Sequence, residues 1–396
     1  MEPHAAFIAL TKSIQNEWLY FQTVVADSEY AFIPLQEIIK NLFLPNLSRL
    51  EFDNKETDLL CRPTRHLGLG IHDPVKTASN QFTVSKIATS FLTQTIITGT
   101  PLDISLHEAS LRNGANEKQI LEEQLQTDTL ALIESFDDSR KRSLVRKLNQ
   151  KCSAWLSAIP SKSNHFDLSP DEFRDAIALR YGRTPSNLPR LCEADSEEFD
   201  LNHALNCSKG GLVYGRHNEC RDLNCDLLKL AGLKQIISEP ILRESDDNGQ
   251  NGLRVDWGVR GFWKPQRQAL FDVCIINADS PSYSQLSLDA VFTAKKNTKK
   301  QHYLEAASAR RASFTPFIAT CDAVLDIEAE GYLKRLAVLL SEKWESPYSK
   351  TIGWLRARIQ VCILRSVSLC FRGCRTKWRG AGTEDGASLY ACNIDD

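Results

Sequence analysis

Apolar residues recur at helical spacing through the first hundred residues, in stretches cut by prolines. Over residues 5–26 they fall at Phe7, Ile8, Ile14, Trp18, Leu19, Phe21 and Val25, and residues 35–44 form a second amphipathic piece that stops before Pro45. Between residues 59 and 79, LLCRPTRHLGLGIHDPVKTAS carries prolines and glycines that mark an irregular connection. Residues 113–116 (NGAN) read as a polar loop. A long helical pattern follows over 117–156, interrupted near Asp137 and Asp138, acidic at its start and basic at its end, as suits a helix dipole. Ser169 then reads as an N-cap, with Pro170 at the first helical position of a helix running to about Tyr181.

In the second half the period changes. Residues 218–231 read as a helix that ends before Gly232, 234–242 as a strand, and 245–252 as a polar loop. Alternation in LRVDWGV and the near-continuous apolar run ALFDVCII predict two strands joined by a turn across residues 253–277. A largely helical, basic segment spans 286–311, SFTPFIATC is a strand, and helices follow over about 328–342 and 349–371. The tail from 373 to 396, rich in Gly and charge, reads as disordered. The expected fold class is mixed: an all-α first half, then an α/β unit in the order αβββαβ with extra C-terminal helices.

The two strands of residues 253–277 each carry one aspartate, Asp256 and Asp272. A carboxylate within an apolar strand is costly unless it is paired, protonated or bound to a metal. Two on adjacent strands can share a hard divalent cation such as Mg²⁺, whereas at strand ends they would cap turns. Composition adds little: 396 residues, 42% hydrophobic, leave room for more than one core, and a net charge of −2 points to no partner. The charge distribution says more. Residues 346–383 contain no acid, Lys295, Lys296, Lys299 and Lys300 cluster, and Arg310 and Arg311 follow. No signal peptide pattern and no membrane-spanning apolar run is visible, and twelve cysteines without such a signal suggest reduced thiols in nucleus or cytosol.

Residues 188–222 have another character. Cys192, His203 and Cys207 stand where ligands of a small zinc knuckle stand, and His-x-x-x-Cys puts two of them one helical turn apart. A tetrahedral site needs a fourth: an oxygen of Asp195 or Glu193, or His217 or Cys220 folding back.

The order of helix, three-strand meander, helix and strand is similar to the core of PD-(D/E)xK nucleases. That likeness implies Mg²⁺ on Asp256 and Asp272, with Glu239 and Glu219 as further ligands. Cys274 stands where the usual lysine would be, and Lys299, four residues before Tyr303, would take its role. Eight stretches also resemble, in family order, the C-terminal part of non-LTR retrotransposon polyproteins that carry a restriction-like endonuclease. They are LLCRPTRHLGLGI, WLSAIP, DEFRDAIALRYG, the H-x-x-x-C of the knuckle, GRHNECRD, FDVCIIN, ASFTPFIAT and YSKTIGWLRARIQVCILRS. The resemblance covers about residues 15 to 375. It implies a thumb-like helical domain (1–110), a helical linker (111–187), a knuckle (188–215) and an endonuclease domain (216–372), acting on target DNA and element RNA, with no membrane and no small-molecule substrate. Arg254, Lys295, Lys296, Lys300, Arg356 and Arg358 are the expected phosphate contacts. The paired-aspartate strand of a polymerase palm is absent from the sequence, so no self-sufficient reverse transcriptase is expected. The chain departs from the family in three places: the usual Cys-x-Cys is reduced to Cys192, the proline of the PD motif is Val255, and Asp256 and Asp272 are slightly far apart in sequence. A non-catalytic nucleic-acid-binding remnant is the alternative expectation, and an unrelated helical scaffold the third.

Overall fold

Helices fill the first half, as the periodicity predicts. The computed structural model describes residues 2–148, 151–245 and 252–375. Its first helices are α1 (Pro3–Ala9), α2 (Gln15–Val24), α3 (Ile33–Ile38), α4 (Leu44–Ser48) and α5 (Asn54–Leu60). Then come the long α6 (Pro74–Thr98) and α7 (Ile104–Glu134), α8 (Asp138–Leu148), and α9 (Pro170–Arg180). Ser169 closes a capping box with Glu172 at the start of α9, the form its sequence predicts. The break expected at Asp137 separates α7 from α8; α8 is described to Leu148, and residues 151–153 are not helical, so the helix predicted to residue 156 does not reach it.

The predicted loop at residues 113–116 does not exist; α7 runs straight through it. A Cβ on Gly114 would lie 2.7 Å from the Cβ of Ala88 on α6, so the glycine lets the two helices touch. Tertiary packing overrides the local turn preference of Asn-Gly here.

The second half holds α10 (Leu201–Asn206), α11 (Leu212–Leu230), β1 (Ile236–Ser238), β2 (Ile241–Arg243), β3 (Leu253–Arg254), β4 (Trp257–Arg260), β5 (Gln268–Ile276), α12 (Leu288–Ala309), β6 (Ser313–Thr320), α13 (Ile327–Trp344) and α14 (Tyr348–Arg372). α11 begins six residues before the predicted start. The single strand predicted over 234–242 is two, because Glu239 takes φ +51° and Pro240 lacks an N–H to continue the ladder. LRVDWGV is broken likewise: β3 pairs with β2 in a short ribbon, and β4 joins the main sheet. The main sheet has the order β1-β4-β5-β6, antiparallel except for β5–β6, which are parallel and joined by α12. The fold is therefore mixed and mostly helical, with one small, mainly antiparallel sheet.

That sheet is covered on both faces, which explains the near-continuous apolar run in β5. Trp257, Phe271 and Phe317 pack with Leu333, Leu336 and Leu355 of α13 and α14. On the other face Leu270 and Phe314 pack with Tyr303 and Ala307 of α12. A separate core fills the first half around Phe7, Leu44, Leu59, Trp155 and Phe173. α14 enters both cores, giving Ala357, Val361 and Leu364 to the first and Leu355, Ile359 and Ile363 to the second. The tail predicted as disordered from 373 is ordered through Arg375, which is buried with its guanidinium 4.7 Å from the Phe199 ring. The rest of that prediction, residues 376–396, and most of the predicted polar loop, residues 246–251, lie outside the described residues.

Candidate functional site

The β4–β5 ladder loses its register at Asp256. Trp257 pairs with Phe271, but the Asp256 N–H donates to the Phe271 carbonyl at 3.1 Å, and Asp256 Oδ2 accepts the Val273 N–H at 2.5 Å in place of a backbone acceptor. The irregularity sets the Asp256 carboxylate, just before β4, on the backbone of Val273, next in the chain to Asp272 at the middle of β5. Asp272 is only 3% exposed, on the α12 face, where Lys299 makes an ion pair with its Oδ2. Burial raises the Asp272 carboxyl above the usual range; the Lys299 ammonium pulls it down and the neighbouring Asp256 pushes it up. The Tyr303 hydroxyl faces the same carboxylate, and burial holds its pKa high. Lys299 therefore reaches Asp272 from the helix, where Cys274 on the strand cannot supply a charge. Burial raises the Cys274 thiol, with Lys299 and Lys295 beside it.

His217 was not foreseen here. At the start of α11 its Nε2 lies 2.8 Å from Asp256 Oδ1, so it neither folds back toward Cys192 nor helps a knuckle. The signal was the fragment GRHNECRD, whose His217 and Arg221 lie one turn apart on α11. Arg221 pairs with Glu239, and Arg254 pairs with the other oxygen of Glu239 at 2.8 Å. Glu239 is near Asp256, its N–H donating to the Asp256 carbonyl at 2.7 Å, but its carboxylate is engaged by two arginines and is no free ligand. Glu219, the other extra carboxylate, lines a 590 Å³ cavity against α14 with Arg358 and Arg365, on the side of α11 away from His217. Cys220 is buried in the core.

The predicted phosphate contacts divide. Lys300 pairs with Glu328 at 2.5 Å and Arg356 with Glu330 at 3.2 Å, so both tie their helices to α13. Lys295 lies 5.6 Å from the Tyr283 ring, Lys296 is half-buried in the field of Asp326, and Arg358 is half-buried, its pKa lowered by burial. Of the six, Arg254 is well exposed even in its ion pair.

The segment before α10 is a second cluster. Cys192 begins a tight turn in which its carbonyl accepts the Ser196 N–H at 2.9 Å, carrying Asp195 back over it. Asp200 caps α10 through the His203 N–H at 2.6 Å, and the helix then presents His203 and Cys207 one turn apart. One ligand atom from each of Cys192, Asp195, His203 and Cys207 lies within 4.8 Å of the other three. Asp195 is the fourth group of the cluster, its oxygens 3.6 Å from His203 Nε2 and 3.9 Å from Cys207 Sγ. His203 Nε2 is buried with no hydrogen-bond partner, while Glu197 lies 3.5 Å from Nδ1, where an outer carboxylate orients a ligating imidazole. These four groups form a cluster of a kind that can hold a metal ion.

No known protein-family model matches the chain, and no curated protein matches it in sequence. Among the described residues no helix is long and apolar enough to cross a membrane.

Proposed function

We propose that the chain is a retrotransposon-derived protein whose sheet carries a Mg²⁺-dependent DNA-nicking site of the PD-(D/E)xK type, and whose cluster at Cys192 holds zinc. The observation that carries the nuclease reading is the Asp256 carboxylate seated on the Val273 N–H, next in the chain to the buried Asp272, with Lys299 against the latter. Like charges so placed repel each other, and a hard divalent cation between them is the compensation their oxygen donors suit. Bound there, Mg²⁺ would polarise a scissile phosphate and acidify an attacking water. Asp256 and Asp272 would hold the ion, and Lys299 would turn from Asp272 to the phosphate. His217 would keep Asp256 oriented. Glu239 assists only through Arg221 and Arg254, since its own oxygens are taken. Zinc fits the second cluster because two thiolates, an imidazole and one carboxylate oxygen suit a closed tetrahedral site.

The burial of Asp272 beneath Lys299 and the capture of Glu239 favour a second reading, a nucleic-acid-binding remnant that no longer cuts. Plasmid nicking in Mg²⁺ separates the two. The nuclease reading expects nicks from the wild type and none above background from Asp272→Ala. Equal nicking by both proteins would show that the activity belongs elsewhere.

A further inference from the structure

At the ends of β4 and β5 remote from Asp272, the loop GFWKPQR (261–267) meets the turn after α12. Arg260, Arg267, Arg310 and Arg311 line a hollow of about 370 Å³ with no carboxylate in its wall. Two of these guanidiniums are held by neutral acceptors, so their charge is not cancelled. Arg260 Nε donates to the Gln266 carbonyl at 2.9 Å, and Arg267 donates to the carbonyls of Arg311 and Ala312 at 3.2 and 3.3 Å. Among the described residues, no ion pair engages any of the four. A second hollow, of about 300 Å³, shares Arg267 and is walled by Trp263, Lys264 and Thr315. Its one acid, Glu328, is already paired with Lys300. The Trp263 indole is 36% exposed yet fixed, its Nε1 donating to Thr315 Oγ1 at 3.2 Å and its ring set edge-on to Phe262 at 4.7 Å.

A rigid exposed aromatic beside uncompensated guanidiniums is the combination that holds unpaired bases and their backbone. We propose that this end of the sheet binds single-stranded nucleic acid, a base stacking on Trp263 and phosphates lying on Arg260, Arg267, Arg310 and Arg311. Duplex fits less well, since its bases are already stacked on one another. Arg260 pairs with Gln268 across the ladder, and Gln268, Leu270 and Asp272 alternate onto the α12 face. The bound strand would thus begin about 13 Å from Asp272, four residues along β5. The choice of polymer rests on the nucleic-acid reading above, but the site needs neither the metal nor the paired aspartates.

The test is fluorescence anisotropy of the full chain with a labelled oligothymidylate, and with a duplex of equal length, in magnesium-free buffer over a range of salt. Arg310→Gln combined with Arg311→Gln should flatten the slope of log affinity against log salt by about 1.4, two contacts at ~0.7 each. Trp263→Ala should weaken oligothymidylate about 5- to 100-fold with the slope unchanged, and Trp263→Phe should restore most of the loss. An unchanged slope in the arginine variant overturns the proposal. So does a Trp263→Ala defect that is absent, or that appears equally on duplex, or that Phe fails to repair. Wild type that binds in this manner but fails to nick plasmid refutes the nuclease reading alone; nicking without this binding refutes only the strand site.

Discussion

Lys299 makes an ion pair with Asp272 across the gap between α12 and β5, over a carboxylate that is 3% exposed. A buried charge keeps its place only while its partner remains, so removing the partner costs more than the pair contributes.

Lys299→Met should therefore destabilise the protein by about 2 kcal/mol, below the 3–5 kcal/mol of a fully buried pair because the lysine is partly solvated. Adding Asp272→Asn should recover more than half of that loss. Denaturant unfolding of the wild type, the single variants and the double variant measures the coupling. Additive losses would mean that the two side chains do not interact.

Gly114→Ala reverses the usual sign for a helix. In an open helix interior the change stabilises by about 1 kcal/mol. Here the new methyl would meet Ala88 at 2.7 Å, and the expected outcome is a loss of about 1–3 kcal/mol as α6 and α7 are pushed apart. Ala88→Gly in the same chain should relieve part of it. Thermal or denaturant unfolding reads both.

For the cluster at Cys192, metal analysis should find about one zinc per chain, lost in Cys207→Ser. Because the four ligands come from a turn and a helix of six residues, chelation should lower the melting temperature. A metal-free preparation that melts with the wild type would remove zinc from the description.

Acid should unfold the protein in two stages. Burial lowers His4 from 6.5 to about 4, so the unfolded chain binds the proton first. Stability from this group is whole above pH 6.5 and falls as pH drops toward 4, by up to about 3 kcal/mol. Burial alone would raise Asp322, but Arg146 and Lys147 outweigh it and hold the carboxyl far below the usual range. Its contribution is present above pH 3.8 and is lost below that. His4→Phe should flatten the upper stage, while Asp322→Asn should cost about 3–5 kcal/mol at neutral pH and less in acid. Stability curves from pH 7 to 2 test both.

What could be read from the sequence was local. His203 and Cys207 are one helical turn apart, and Asp195 falls in the same turn as Cys192, so each of these two pairs follows from spacing. The near-continuous apolar runs placed β5 and β6, while the alternating LRVDWGV was split between two sheets. Contacts made at long range left no trace in any window. Arg146 on α8 bonds Asp279 and Asp322, 133 and 176 residues away, and so fastens the first half to the sheet. The kink at Glu239, which gives its carboxylate to Arg221 and Arg254, could not be inferred from a proline alone. His217 sat in a fragment recognised as a motif, but its partner lay 39 residues on.

The place of α14 in both cores bears on how the chain is made. The first core takes most of its residues from the stretch ending at Tyr181, yet its last wall comes from Ala357, Val361 and Leu364. At about 5–20 residues per second, the ribosome needs roughly 10 to 35 s to cover that gap. During that interval the first half emerges with an apolar face open to the cell. The nascent chain is then a natural client for chaperones, and release of an unfinished polypeptide before α14 would leave both halves prone to aggregate.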